Sequence, residues 1–260
     1  MNSFKILLEK IKEAKALDFG QVFNDSIELF KKTWLQGFLL QLFTLIVMLP
    51  LIIVLYVPLI GMMIAQQESG YANTDAFNNF FAGMSVLYIL FVIVGAFVLG
   101  AVSLALNAAF FRIMNRLDSD KTVSSSDFFY FLKTKYLSKI FVLMLVSMGI
   151  SIVAALLCYL PIFYVLVPLS FFTIVYAFNP NFSVGDIVKV SFKLGNKKWL
   201  ITFGLIIVSS LLAQIVGFLL CFVGVLFTAP FVYHPIYIIY KKVIGFEEQH
   251  VIDEIGTSSE

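Results

Sequence analysis

Three polar side chains in this chain sit where the surrounding residues are almost wholly apolar: Gln41, Asn107 and His234. His234 lies between Pro230 and Pro235, in the run TAPFVYHPIYIIY. An imidazole and two carboxamides can hydrogen-bond a polar head group, or they can bond one another. They cannot assemble a metal centre. The chain has two His and two Cys, and no HExxH, CxxC or GxSxG motif. A zinc site needs three or four convergent ligands, and a nucleophile needs a base beside it. The expectation is a protein that is not an enzyme and has no cofactor. Gln41, Asn107 and His234 remain as candidate ligand-cavity residues. What they can do depends on the elements that carry them.

Those elements are defined by charge. All 18 Lys and Arg residues fall in residues 5–32, 112–139, 189–198 and 241–242. The stretches between are long and apolar. A charged side chain at the centre of a bilayer costs about 2.5–3.5 kcal/mol on insertion scales, so stretches free of charge read as membrane spans. Basic flanks mark the cytoplasmic side. The chain is 60% hydrophobic and only 13% charged, against about 25% charged in soluble domains. Basic blocks can also mark nucleic-acid binding. Here they abut spans, so the expected partners are membrane lipids, together with other membrane proteins or further copies of the chain, and not nucleic acid.

A helix needs about 20 apolar residues to cross about 30 Å of hydrocarbon. Residues 35–65 and 84–111 each suffice, and the loop between them carries Glu68 and Asp75 but no Lys or Arg. Residues 140–178 and 199–240 are each about twice the minimum. They break near Cys158 to Pro161 and near Gly217 to Gly224. Two spans each would put all four basic blocks on one side. The expected fold is all-α: a polytopic membrane helical bundle of six transmembrane helices in three hairpins, with both termini in the cytoplasm of a bacterial inner membrane. Counted from the cytoplasmic ends, Gln41, Asn107 and His234 lie roughly 6–9 Å deep, with Ser147 and Thr173 close to that level. Such a layer could line an inner-leaflet cavity. The plainer role is interhelical hydrogen bonding, worth about 0.6 kcal/mol per bond.

Each hairpin is preceded by a stretch of common design, over residues 18–35, 124–137 and 183–200. Each opens on a capping pair: Asp18 with Gln21, Ser124 with Asp127, Ser183 with Asp186. Each closes on Lys and an aromatic. Lys31, Lys32, Trp34, Tyr136, Lys197, Lys198 and Trp199 are therefore expected interfacial anchors, with rings in the head-group layer and ammonium groups reaching phosphate. The three stretches read as cytoplasmic interfacial amphipathic helices. Residues 1–17 form a further amphipathic helix, with Phe4, Leu7, Leu8 and Ile11 at helical spacing. The membrane domain is residues 18–245, with repeat units at about 18–111, 124–178 and 183–245, and 246–260 is a polar tail. Cys158 and Cys221 sit at the outer turns, either bonded to each other or buried as small apolar residues.

The opening DFGQVFNDSIELFKKTW and the closing GFLLCFVGVLFTAPFVYHPIYIIYKKVIG, with Gly217, Cys221, Gly224, Pro230, Tyr240 and Gly245, resemble a broad group of bacterial six-span membrane proteins. These are similar to the membrane domain of some glycerophosphodiester phosphodiesterases and to YciC-type inner-membrane proteins. The resemblance implies six spans and an inner-membrane setting. The phosphodiesterase activity of those enzymes belongs to a separate soluble domain and is not implied. The function expected is that of a non-catalytic accessory or scaffold for envelope or lipid-related machinery. The alternative is a lipid or small-molecule permease using the inner-leaflet polar layer.

Overall fold

Helix α1 (Asn2–Glu13) buries Leu7 and Ile11 and leaves its acidic and basic residues outward, the outcome of apolar residues at helical spacing. Asp18 then starts α2, its Oδ1 accepting the Gln21 N–H at 2.7 Å. From there α2 runs unbroken from Phe19 to Glu68. This corrects the expectation of a separate interfacial helix over residues 18–35 followed by a span. Nothing between Lys31 and Phe38 stops a helix except Gly37, and Gly37 is packed against Pro230. The computed structural model describes residues 2–68, 86–157, 160–221 and 223–246. Most of the loop after α2, Cys158 and the C-terminal tail beyond Phe246 lie outside these.

The remaining order is α3 (Val86–Asp118), a 3₁₀ helix (Ser125–Leu132), α4 (Thr134–Leu156), α5 (Leu160–Ser170), α6 (Phe172–Phe178), α7 (Val184–Lys197), α8 (Trp199–Leu219), α9 (Val225–Thr228), a second 3₁₀ turn (Ala229–Val232) and α10 (Tyr233–Val243). No strand occurs among the described residues. Five helical segments are long and apolar enough to cross a membrane: Phe19–Gly61, Tyr88–Asp118, Thr134–Leu156, Leu160–Phe178 and Trp199–Leu219. The chain is thus a multi-pass helical membrane protein. Residues 225–243 are helical throughout but divided into three pieces around Pro230 and Pro235.

The three stretches expected to be alike take three forms. The first is part of α2. The second is the 3₁₀ helix, held by a complete capping box in which the Ser124 N–H donates to Asp127 Oδ2 at 2.9 Å. The third is α7, capped by Ser183, which accepts the Asp186 N–H at 3.1 Å, and ending at a bend at Lys198.

Prolines govern the breaks and some of the contacts. A proline lacks the N–H that would close the bond to the carbonyl four residues earlier, and lipid offers no water to replace it. Two of the freed carbonyls are taken by aromatic donors from other helices. Pro58 frees Val54 O, which accepts from Tyr88 OH of α3 at 2.7 Å. Pro168 frees Tyr164 O, which accepts from the Trp199 indole N–H at 3.1 Å. Pro168 also packs on α7 so closely that a Cβ at Gly195 would lie 2.8 Å from its Cα. The turn from α8 to α9 is equally tight. A Cβ at Gly217 would lie 2.9 Å from Val225 Cα, and Cys221 adopts φ 55°.

The buried core gathers at one end. It includes Val22, Leu29, Phe110, Phe111, Phe131 and Tyr237, all near the charged termini of the helices. The other halves of α2 and α3 are exposed, with Ile53, Tyr56, Ile64, Leu90 and Phe91 among their outward residues. Between them, Ala101, Ala105 and Ala109 are buried, which lets helices approach closely.

The Trp199–Tyr164 bond exists because of Pro168, and this can be tested. Trp199→Phe should cost about 1 kcal/mol in detergent unfolding. In a Pro168→Ala background the restored N–H takes the carbonyl, and Trp199→Phe should be nearly silent. Equal losses in both backgrounds would refute the link. Gly195→Ala should cost about 1–3 kcal/mol, because Pro168 backbone cannot yield.

Candidate functional site

His234 begins in the first turn of α10 and is wholly buried. Its Nδ1 lies 3.1 Å from Pro230 O and its Nε2 lies 2.7 Å from Thr33 Oγ1 on α2. A carbonyl only accepts, so Nδ1 carries the proton, and Nε2 accepts from the Thr33 hydroxyl. Both ring nitrogens are used. The rings of Phe30, Phe110 and Phe231 enclose the imidazole, with centroids at 5.4, 6.0 and 5.8 Å. The histidine clamps α10 to α2 and has no face left for a ligand.

Asn107 of α3 faces Tyr233, the neighbour of His234. Gln41 is half-buried on α2. It lies eight residues beyond Thr33, about 12 Å along the helix. The three candidate cavity residues therefore do not converge on one space. Asn107 and His234 belong to adjoining helix contacts, and Gln41 stands apart.

A cavity of about 170 Å³ lies elsewhere, between α3, α4 and the α5–α6 segment. Ser147, Ser151 and Thr173 supply its hydroxyls, and its other walls include Ala108, Met144 and Phe172. Ser147 and Thr173, expected at a common level, both line this cavity. Their meeting across α4 and α6 is signalled by no spacing in the sequence.

The expected anchors divide. Trp34 is 46% exposed and lies against Phe227, with ring centroids 6.2 Å apart. Trp199 stacks on Phe203 at 4.8 Å. Lys31 pairs with Glu28 at 2.6 Å, and Lys32 pairs with Asp120 at 2.8 Å. The Lys32 ammonium holds the Asp120 carboxyl below its usual range. Lys197 is exposed. Tyr136 bonds Tyr130 through their hydroxyls at 3.3 Å. Lys198 departs from the expectation of an outward ammonium. It is 5% exposed and donates to Ala14 O at 3.4 Å and to Lys15 O, the carbonyls just past the end of α1. Burial pushes its pKa down, and the like charge of Lys197 adds to this. The reason is local. The bend at Lys198 turns the side chain under the bundle, where α1 leaves carbonyls without helical partners.

Further ties join the same end. Lys10 donates to Ile244 O at 2.7 Å. Lys242 pairs with Asp25 at 2.8 Å, Lys241 with Asp118 at 2.5 Å, and Arg116 with Asp127 at 2.8 Å. Lys139 donates to Pro180 O at 2.6 Å and to Phe182 O at 3.0 Å, joining the start of α4 to the segment after α6. Sequence reading identified these residues as basic flanks but not as pairs. Partners so distant in the chain leave no spacing signal. Among the described residues no cluster of His, Cys, Asp or Glu is arranged to hold a metal ion. Compared with protein-family models, with curated proteins and with solved structures, the chain matches none.

Lys198→Met should free α1. Amide exchange over residues 2–15 should rise well above that of the unchanged protein, while exchange in α8 stays the same. Unchanged protection of α1 would show that Leu7 and Ile11 alone hold it. His234→Leu should retain the fold and cost about 0.6 kcal/mol, with roughly 1.7 as the upper bound for such a bond, since Thr33 can turn to Leu29 O, 3.0 Å away. A loss beyond that bound would indicate a larger role for His234 than one interhelical contact.

Proposed function

We propose that this chain is a non-catalytic integral protein of a bacterial inner membrane, an accessory or scaffold for envelope or lipid-related machinery. The observation that carries the reading is the engagement of the buried histidine. Both ring nitrogens of His234 are taken, by Thr33 and by Pro230 O. The cavity of about 170 Å³ is smaller than the roughly 300–1,000 Å³ of small-molecule sites, and a recess of about 330 Å³ at the charged base is lined by none of Gln41, Asn107 and His234. A permease built on Gln41, Asn107 and His234 has no support in that arrangement. A rigid charged base carrying an exposed apolar belt suits a protein that works through its surfaces.

The reading includes six spans in three hairpins, with residues 225–243 as the sixth. Nineteen residues at helical rise reach about 28 Å. Contacts at the charged end support three excursions that leave and return. Lys32 with Asp120 closes the first, and Lys139 with Pro180 O closes the second. In the third, Lys198 and Lys10 bring the start of α8 and the end of α10 to the same segment around α1. The positive-inside rule then puts both termini in the cytoplasm. The interfacial role of α7 and the 3₁₀ helix, with Trp34, Tyr136 and Trp199 as ring anchors, belongs to the same proposal.

Membrane-impermeant thiol labelling in a Cys158→Ser, Cys221→Ser background tests the topology. Label added outside should reach Thr74→Cys and miss Ser125→Cys and Phe182→Cys. Outside labelling of Phe182→Cys would overturn the six-span count. Purification in gentle detergent tests the role. A scaffold should bring a protein partner in fixed stoichiometry, and that partner should be lost when apolar outer residues of α2 such as Ile53 and Tyr56 are replaced. Isolation of the chain alone under every mild condition would contradict the scaffold reading.

A further inference from the structure

The cavity between α3, α4 and α6 is lined by a threonine whose hydroxyl is not turned back to its own helix. Hydroxyls inside membrane helices commonly turn back to the carbonyl four residues earlier. Ser26 does so to Val22 O, Ser151 to Ser147 O and Thr202 to Lys198 O. Thr173 lines the cavity, is partly exposed, and makes no such bond among the described residues. Its own helix has just restarted after the break at Phe171. The depth of this hydroxyl is informative. Thr173 lies five residues before Phe178, the end of α6, hence about 7.5 Å from the charged end of the bundle. The interfacial layers add about 5–7 Å on each side of the hydrocarbon. Thr173 therefore lies where the ester groups of a glycerolipid meet its chains.

Size and surroundings select the occupant. An apolar cavity of about 150 Å³ takes a benzene-sized guest, so a cavity of about 170 Å³ takes a short hydrocarbon segment. The adjoining face of α4, with Val142, Leu145 and Met148, is exposed and apolar, so lipid reaches the rim. The nearby cations do not select a head group. Lys139 is bonded to two carbonyls, and the Arg112 guanidinium lies 3.9 Å from the Tyr130 ring centroid. We propose that this cavity seats one acyl chain of a membrane glycerolipid, with the Thr173 hydroxyl donating to the ester carbonyl at the head of that chain. The proposal rests on the membrane placement of α3 to α6 and is independent of the scaffold role.

Native mass spectrometry of the full chain in detergent tests it, with dioleoyl phosphatidylglycerol, dioleoyl phosphatidylethanolamine and the diether analogue of the first as probes. Both ester lipids should bind one per chain with similar affinity. Ser147→Phe, which fills the cavity, should weaken binding by about tenfold or more. Val142→Phe on the outer face should leave it unchanged. Thr173→Val and the change from ester to ether should each weaken binding about fivefold, and together no more than either alone. The last comparison changes no cavity volume, so it stands even if Ser147→Phe fails to fold. Equal affinity of ester and ether lipid for the unchanged protein would overturn the proposal, as would full binding by a folded Ser147→Phe protein.

Discussion

Lipid is as apolar as a leucine side chain, and that fact constrains everything else in this structure. In the hydrocarbon there is no hydrophobic force to press helices together and no water to satisfy a freed carbonyl. The fold is fixed accordingly in two ways. At the charged end, large apolar side chains such as Phe131 and Tyr237 are wholly buried, and wherever that end meets water the hydrophobic effect acts in full. Within the spans, small alanines and specific hydrogen bonds replace it. The prolines show the rule most directly. Each removes a donor, and Tyr88 and Trp199 supply donors from across the bundle to Val54 O and Tyr164 O.

The charged end follows from the same constraint. Lys198 is buried yet not stranded, because the carbonyls of Ala14 and Lys15 need a donor where α1 ends. Lys10 answers Ile244 O in the same way. These bonds make α1 part of the base instead of a free arm. Ion pairs such as Lys242 with Asp25 are surface contacts of small individual value. Their use is positional: they hold the beginnings and ends of distant segments at one level.

The sequence made the apolar stretches legible because charge is so costly inside a bilayer. The caps at Asp18, Ser124 and Ser183 were legible because a capping pair has a fixed spacing. The continuity of α2 was misread. A cluster of Lys and aromatic residues such as Lys31, Lys32 and Trp34 contains nothing that stops a helix, and α2 runs through it. The partner of His234 was illegible, since Thr33 lies 201 residues away and interhelical bonds have no period. Helix rise puts Ser147 and Thr173 at a similar distance from their helix ends, but the cavity they share joins α4 to α6, and no spacing in the sequence signals that meeting.

The proposed scaffold role requires that the bundle give lipid no path from one leaflet to the other. Reconstitution into lipid vesicles tests this most directly. With a fluorescent phospholipid in both leaflets and a membrane-impermeant quencher added outside, the account predicts the slow inner-leaflet loss of protein-free vesicles. Rapid quenching of both leaflets that requires the protein, and that His234→Leu removes, would contradict it.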